Sequence, residues 1–339
     1  MPNGSKSRFW LVMIALAAVI LVVGYINLTS GLYDLSVREV LRTLFRLDRV
    51  PENDLVIFEF RLPRIVLSLL VGYSLGLAGA VIQGITRNPL ADPGILGINA
   101  GAGTAVVLFM FLLQGSMDGT GGSAVLAMPL FGLLGGLAAT ALIYVFARHH
   151  GVIEPQRLIL VGIAIASGFG AVTTYLSLKM NSQDFEKAAV WLSGSIYSAN
   201  WKFVVLMLPW MLVFVPLLLT RSKVLDVFQL EEQSVRGLGV RVERERNFLL
   251  LGSIGLVSAS VSVSGSIGFV GLIGPHIARR LVGLQHRWSL PVSGLTGALM
   301  VVAGDYIGRT LFAPTELAAG TVISLIGVPY FVFLLIRAR

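Results

Sequence analysis

Apolar positions in this chain come in uncharged or nearly uncharged blocks of about 20 residues, long enough to cross ~30 Å of hydrocarbon as an α-helix. The eighth block is short and contains Gly274-Pro275, which predicts a break within it. The pattern predicts an all-α integral membrane protein with about ten transmembrane helices, forming one domain over 1–339. The blocks lie at about 9–28, 65–85, 94–113, 124–147, 158–178, 203–220, 248–266, 269–283, 290–308 and 318–336.

The composition supports a membrane protein. Charged residues make up only 13% of the chain, against roughly 25% in soluble domains, so most of the surface is not expected to face water. The 38 glycines suit membrane helices, in which small residues let backbones approach closely. The absence of cysteine excludes disulfides, thiolate metal ligands and cysteine nucleophiles.

The net charge of +8 is explained by the membrane and not by nucleic acid. Membrane proteins collect Lys and Arg in their cytoplasmic loops. The sequence contains no Lys/Arg-rich run with interleaved aromatic residues of the kind that binds nucleic acid. The expected partner is therefore the lipid bilayer, with no nucleic acid.

The distribution of basic residues predicts the orientation. An even number of spans places both termini on one side, and with the termini inside, the inner segments hold 16 of the 26 Lys and Arg residues. We therefore predict that both termini are cytosolic. Six arginines between Arg38 and Arg64 lie on the outer side, against the rule, and such an anomaly suggests a function.

A short segment outside the spans, 35–47, is amphipathic. Val37, Val40, Leu41, Leu44 and Phe45 recur at helical spacing on one side of it. Three arginines spaced four residues apart lie on another face, at positions 38, 42 and 46. The pattern predicts a helix lying at the outer membrane surface.

One spacing occurs twice along the chain. Arg64 opens a span and Pro93 follows 29 residues later; Arg246 opens another span and Pro275 follows at the same distance. In both places an apolar helix leads to a Gly/Pro-rich break and then a short apolar segment. The two helices enter from opposite sides in the predicted topology, which indicates inverted-repeat-like halves of the kind found in transporters.

Catalytic and metal-binding patterns are missing from the sequence. It contains no Walker A motif, His-Glu-x-x-His or nucleophile elbow, and His149, His150, His276 and His286 are not spaced as metal ligands on one helix face. We therefore expect a non-catalytic transport subunit with no cofactor and no metal.

Ionisable residues in the middle of a span are also scarce, which bears on the source of energy. We expect Asp305 to pair with Arg309 one turn later and Asp92 to cap the helix after it. This shortage favours energy from a partner protein. An ion-coupled secondary transporter remains the alternative.

The longest inner loop, 221–246, is charged and has helical spacing. Val235, Leu238 and Val242 are its periodic apolar positions, and Gly237 and Gly239 would divide it into two short helices. A compact helix-turn-helix loop facing the cytosol predicts a docking element for another protein.

Four long motifs carry a resemblance to a known family. RLPRIVLSLLVGYSLGLAGAVIQGITRNPLADPGILGINAGAG at 61–103 resembles the iron-siderophore and cobalamin permease family (FecCD-type) of type II ABC importers. EEQSVRGLGV at 231–240, SGSIGFVGLIGPHIARRLVG at 264–283 and LIGVPYFVFLL at 325–335 follow in the family's order. The resemblance implies a ten-helix permease with cytosolic termini in a bacterial cell membrane.

The family's assembly implies partners. It implies a second permease subunit, for which a sister chain is favoured over a second copy, two ATP-binding subunits and an extracytoplasmic substrate-binding protein. It also implies that the cargo is a ferric siderophore or related metal chelate, with cobalamin and haem left open.

The same resemblance implies roles for individual residues. It makes the loop 226–246 the element that contacts the ATPase, and it makes the outer arginines partners for acidic residues of the substrate-binding protein. The implied ATPase-coupling residues are Asp226, Glu231, Glu232, Arg236, Gly237 and Gly239. The implied docking residues are Arg61, Arg64 and Arg309.

Overall fold

The protein is a bundle of helices. The computed structural model describes residues 3–31, 33–47, 50–113, 122–149, 152–153 and 155–337. The helices are α1 (Asn3–Thr29), α2 (Val37–Leu44), α3 (Pro51–Asp54), a π-helical segment (Leu55–Arg61), α4 (Leu62–Thr86), a 3-10 turn (Pro93–Leu96), α5 (Ile98–Leu113), α6 (Gly122–Ala147), α7 (Pro155–Lys179), α8 (Ser182–Leu192), α9 (Trp201–Thr220), α10 (Ser222–Val227), α11 (Glu232–Gly237), α12 (Val242–Ser264), α13 (Val270–Val282), α14 (His286–Thr310) and α15 (Ala319–Arg337).

Each of the ten apolar blocks overlaps a helix. Within the described residues, seven helical runs are long and apolar enough to cross a membrane, and α5 and α15 are shorter apolar helices. The block at 65–85 belongs to a longer run of 36 residues, because α3, the π-helical segment and α4 are continuous from Pro51 to Thr86. The chain is therefore a multi-pass membrane protein.

Strand structure in the described residues is confined to one small hairpin after α6. Arg148 pairs with Ile153, and His149 pairs with Val152, in antiparallel register. His150, one of the four histidines considered above, lies outside the described residues.

The centre of the bundle is built on the contact between α4 and α14. A Cβ added at Gly72 would lie 2.3 Å from the carbonyl oxygen of Gly297, and one at Gly76 would lie 2.3 Å from that of Ser293. Only glycine allows the two backbones to approach so closely. Around this contact, α12 and α13 complete a core whose central side chains, such as Leu67 and Leu256, are fully buried.

The predicted break at Gly274-Pro275 is wrong, because α13 continues through it. A proline inside a helix has no N–H to offer the carbonyl four residues earlier, here that of Gly271. The side chain of Gln83 on α4 supplies the missing donor, with Nε2 3.1 Å from the Gly271 oxygen. An outside donor of this kind lets a proline remain within a membrane helix.

The twice-occurring spacing therefore does not mark two equivalent prolines. Pro93 opens the 3-10 turn before α5, whereas Pro275 lies within α13. The actual interruption after α12 covers 265–269. The start of α5 contacts the interruption after α12: Asn99 Nδ2 donates to Ser266 Oγ at 2.9 Å. The inverted repeat remains a prediction.

The amphipathic segment forms α2, as its pattern predicts. Ser36 accepts from the backbone N–H of Glu39, and the Glu39 carboxylate accepts from the Ser36 N–H, which is a capping box. The Ser36 hydroxyl also lies 2.7 Å from the Glu39 carboxylate, and its bond, together with that from the Ser36 N–H, lowers the pKa of Glu39. The helix buries Val40 against the bundle and leaves Phe45, just after its end, exposed.

Candidate functional site

The loop 221–246, here called the coupling hairpin, folds as two short helices followed by the start of α12. Leu225, Val235 and Val242 are buried beneath it, so its apolar residues anchor it to the bundle. Leu238 was expected to share this face but is 63% exposed at the turn. Gly239 lies in the turn between α11 and α12. It has φ +78°, a left-handed conformation that favours glycine.

Ion pairs brace the coupling hairpin. Arg236 lies 2.8 Å from Glu232 and 2.5 Å from Glu243, and Arg246 lies 3.4 Å from Glu232. The hydrogen bond to Arg236 lowers the pKa of Glu232, and the same bond raises the pKa of Arg236. Glu231 is different, because it is exposed at the start of α11 and its side chain forms no capping bond.

Asp226 joins the coupling hairpin to α14. Its Oδ1 accepts from the backbone N of His286 at 2.8 Å and lies 2.7 Å from the ring Nδ1 of the same residue. The amide Nε2 of Gln229 adds a bond of 3.2 Å to the carbonyl of Gly84 near the end of α4. The hairpin is thus fixed to both helices of the central pair.

Arg61, Arg64 and Arg309 meet at the opposite end of α4 and α14. They line one cleft of about 380 Å³, together with Tyr197 and Glu316. The sequence placed these arginines on the same side, and the structure brings them into one site, here called the arginine cleft.

Arg64 is paired within the chain. Its Nη2 lies 2.9 Å from Asp305 on α14 and 2.9 Å from Glu316 after α14. The expected pair between Asp305 and Arg309 is wrong, because the Asp305 carboxylate accepts from Nε and Nη2 of Arg64 instead. The guanidinium of Arg64 makes two parallel bonds to the Asp305 carboxylate, which is the strongest geometry for this pair. Arg309, one turn along α14, bonds to Asn27 instead.

Arg61 and Arg309 hold the end of α1. Arg309 Nη2 donates to the side-chain oxygen of Asn27 at 3.0 Å and to its carbonyl at 3.3 Å. Arg61 is only 6% exposed and donates to the carbonyls of Leu28 and Tyr33. Cations at a helix C-terminus satisfy its free carbonyls and oppose its dipole.

Several site residues could not be found from the sequence. Glu316 lies in an ordinary loop, and Asn27 near the end of an apolar span, so neither stands out by position. Asp92 behaves as expected, since its Oδ1 accepts from the N–H of Gly94 at 2.9 Å and caps the 3-10 turn. Among the described residues no group of three or more His, Asp or Glu is placed to hold a metal ion.

A core of closely packed, interrupted membrane helices is typical of transport proteins. The chain belongs to the FecCD transport family, whose profile matches residues 18–337. It is therefore a permease of the FecCD type II importer kind that its motifs resemble.

Similar proteins of known family agree with this assignment. The chain is 52% identical to the iron-uptake system permease protein FeuC of Bacillus subtilis over 322 residues, covering 95% of this chain and 96% of that protein. It is 43% identical to the iron(3+)-hydroxamate import system permease protein FhuG of the same organism, over 97% of each chain.

A solved structure agrees as well. A structure described as an inward-facing conformation of a metal-chelate type ABC transporter matches with a TM-score of 0.83 and 31% identity, over 96% of this chain and 99% of that one.

Proposed function

We propose that this chain moves a ferric siderophore or related metal chelate into the cytoplasm of a bacterium, with energy from partner ATPases. The observation that carries the proposal is the coupling hairpin: it is anchored by buried apolar residues, braced by ion pairs and exposed at its tip. The names of FeuC and FhuG support an iron chelate as cargo. Cobalamin and haem are the alternative cargoes.

In this proposal the ten helices cross a bacterial cell membrane with both termini in the cytosol. The start of α1 lies at the hairpin end of the bundle, because Arg8 Nη2 donates to the carbonyl of Arg280 at 3.0 Å. If the hairpin meets an ATPase, the N-terminus is then on the cytosolic side. The excess of Lys and Arg in the inner segments agrees with this orientation.

A second permease subunit completes the translocation pathway, with a sister chain favoured over a second copy. Helix α7 supports this step, because only 11% of its apolar window is buried within the chain. Its face with Ser167, Ala171 and Thr174 is small, partly polar and exposed. A wide pathway for a metal chelate is better formed between two such faces than inside one bundle.

The arginine cleft receives the extracytoplasmic substrate-binding protein. The cleft holds three arginines and the two carboxylates of Asp305 and Glu316, so its net charge is one positive unit. The Glu316 side chain is 26% exposed and that of Asp305 5%, so Glu316 is the partner that an incoming carboxylate would replace. Complementary charge of this kind steers and orients association.

This docking model predicts the effect of removing the Glu316 charge. Glu316→Gln should tighten binding of the substrate-binding protein, because Arg64 then lacks its outer carboxylate, and the gain should fade as salt rises. Asp184→Asn is the matched control, since Asp184 pairs with Lys187 on α8 and does not line the cleft. Unchanged or weaker binding at low salt would contradict a docking role for Arg64.

An ion-coupled secondary transporter remains the second candidate. Asp305 is a buried carboxylate on a membrane helix, as such a carrier would need, but its bidentate pairing with Arg64 makes it structural.

The deciding experiment is uptake into liposomes that contain this chain, its partner permease and the ATPases, with the substrate-binding protein and ferric siderophore outside. We expect uptake to require enclosed ATP and to survive ionophores that collapse ion gradients. Uptake without ATP that ionophores abolish would overturn the proposal.

A further inference from the structure

A second cavity lies at the hairpin end of the bundle, away from the arginine cleft. It has a volume of about 300 Å³, opens to the surface and lies between the end of α4, the hairpin, α13 and the start of α14. Arg87, Arg279 and His286 line it, with the amides of Gln83 and Gln229. The described residues that line it include no carboxylate.

The charge in this cavity is poorly compensated. Arg279 is partly buried, and its Nη2 is enclosed without a hydrogen-bond partner among the described residues. Arg87 uses its Nε on the carbonyl of Phe228 at 2.5 Å, which fixes the guanidinium at the cavity. The nearby carboxylate of Asp226 is engaged by His286. Arg87 is exposed, but an enclosed guanidinium nitrogen without a partner, such as Nη2 of Arg279, costs free energy, so the site favours a negative group.

Two guanidinium groups in one small cavity favour a particular kind of anion. A phosphate has three or four oxygens in a tetrahedral arrangement and can accept from both arginines, whereas one carboxylate is satisfied by a single guanidinium. Gln83 adds an acceptor: its Nε2 is used on α13, but its buried Oε1 has no partner among the described residues. That oxygen can accept from the O–H of a monohydrogen phosphate or of a headgroup glycerol.

We propose that this cavity binds a phosphate group, either free phosphate or the headgroup of an anionic lipid in the leaflet at the hairpin end. The bound group would bridge α4 and α13 directly beneath the coupling hairpin. The proposal does not depend on which cargo the permease transports.

The test uses the full chain with inorganic phosphate in detergent, against chloride at equal ionic strength. Phosphate should raise the thermal stability of the wild-type protein. Arg279→Gln should weaken the apparent phosphate affinity at least about tenfold, the size expected for one charged hydrogen bond. Arg280→Gln is the matched control, because this neighbouring arginine is exposed and does not line the cavity.

The lipid arm compares nanodiscs of phosphatidylglycerol with nanodiscs of phosphatidylcholine. Stabilisation by phosphatidylglycerol alone identifies a lipid headgroup, and stabilisation by added phosphate in phosphatidylcholine identifies free phosphate. If Arg279→Gln does not fold, Arg279→Lys, which keeps the charge but loses the guanidinium fork, must also weaken binding. No stabilisation in either setting, or equal stabilisation of wild type, Arg87→Gln and the Arg279 variant, would overturn the proposal.

Discussion

Helices α4 and α7 are each 25 residues long and rich in glycine, but their glycines face opposite surroundings. In α4, a Cβ at Gly72 or Gly76 would collide with the backbone of α14. In α7, a Cβ at Gly168 or Gly170 would meet nothing within 4 Å. In the helical run that contains α4, an apolar stretch of 18 residues is 72% buried, whereas the corresponding stretch of α7 is only 11% buried.

The contrast fits two different roles of these helices in the proposed assembly. The α4–α14 pair joins the coupling hairpin at one end to the arginine cleft at the other, with no space between the helices for adjustment. Such a pair can transmit a displacement because closely packed backbones do not deform gradually. Helix α7 has a small-residue surface that the chain itself leaves open, as expected of a helix that packs against another subunit.

The largest effect on stability is expected from the central contact. Gly76→Ala should destabilise the chain by about 1–3 kcal/mol or more, because the new methyl would lie 2.3 Å from the Ser293 oxygen and force α4 and α14 apart. Thermal unfolding in detergent measures this, with Gly168→Ala as the matched control. Equal melting temperatures for the two variants would refute the packing argument.

The next effect concerns the proline in α13. Gln83→Leu should cost about 1–3 kcal/mol, since the Gly271 carbonyl then loses its donor. Pro275→Ala restores a backbone N–H to that carbonyl, so the double variant should lose less than the sum of the single losses. Additive losses in this cycle would show that Gln83 does not serve the proline.

The smallest effect on the chain itself is expected at the open face of α7. Gly168→Leu should change stability by no more than about 0.5 kcal/mol, because nothing within the chain touches that position. It should nevertheless reduce co-purification with the second permease. Normal recovery of the pair would indicate that this face meets lipid instead.

The apolar blocks predicted the helices well because membrane length and hydropathy are local properties of the sequence. The partners of Pro275 and Asp305 were not predictable in this way. The carbonyl that Pro275 leaves without a donor is bonded by Gln83 of α4, and Asp305 is bonded by Arg64 of α4. Contacts between distant helices have no effect on the local spacing of residues. Proximity along the helix predicted an ion pair between Asp305 and Arg309. Asp305 pairs with Arg64 instead, through two hydrogen bonds.

The arginine cleft and the coupling hairpin, at the two ends of α4 and α14, were predictable only in part. That the arginines at positions 38 to 64 lie on the outer side remains a prediction. The glycines of the hairpin indicated the turn between α11 and α12, where Gly237 ends α11, but the break between α10 and α11 contains no glycine. That Arg61 and Arg309 hold the end of α1 depends on tertiary geometry, so charge counting alone treats them as free cations.

The central claim is that the coupling hairpin meets an ATPase, and the structure supplies two variants that test it without unfolding the chain. Glu231 makes no capping bond, and a side chain at Gly237 would meet nothing within 4 Å. Gly239 is unsuitable because its left-handed backbone would be strained by another residue. Glu232 is also unsuitable for charge reversal, because the change would break its ion pair with Arg236.

The measurement is ATP hydrolysis by the reconstituted complex, stimulated by the substrate-binding protein with its ferric chelate, in parallel with uptake. For Glu231→Lys and Gly237→Val the account predicts normal folding, weakened stimulation and loss of uptake. Folded variants that retain wild-type stimulation and uptake would contradict it.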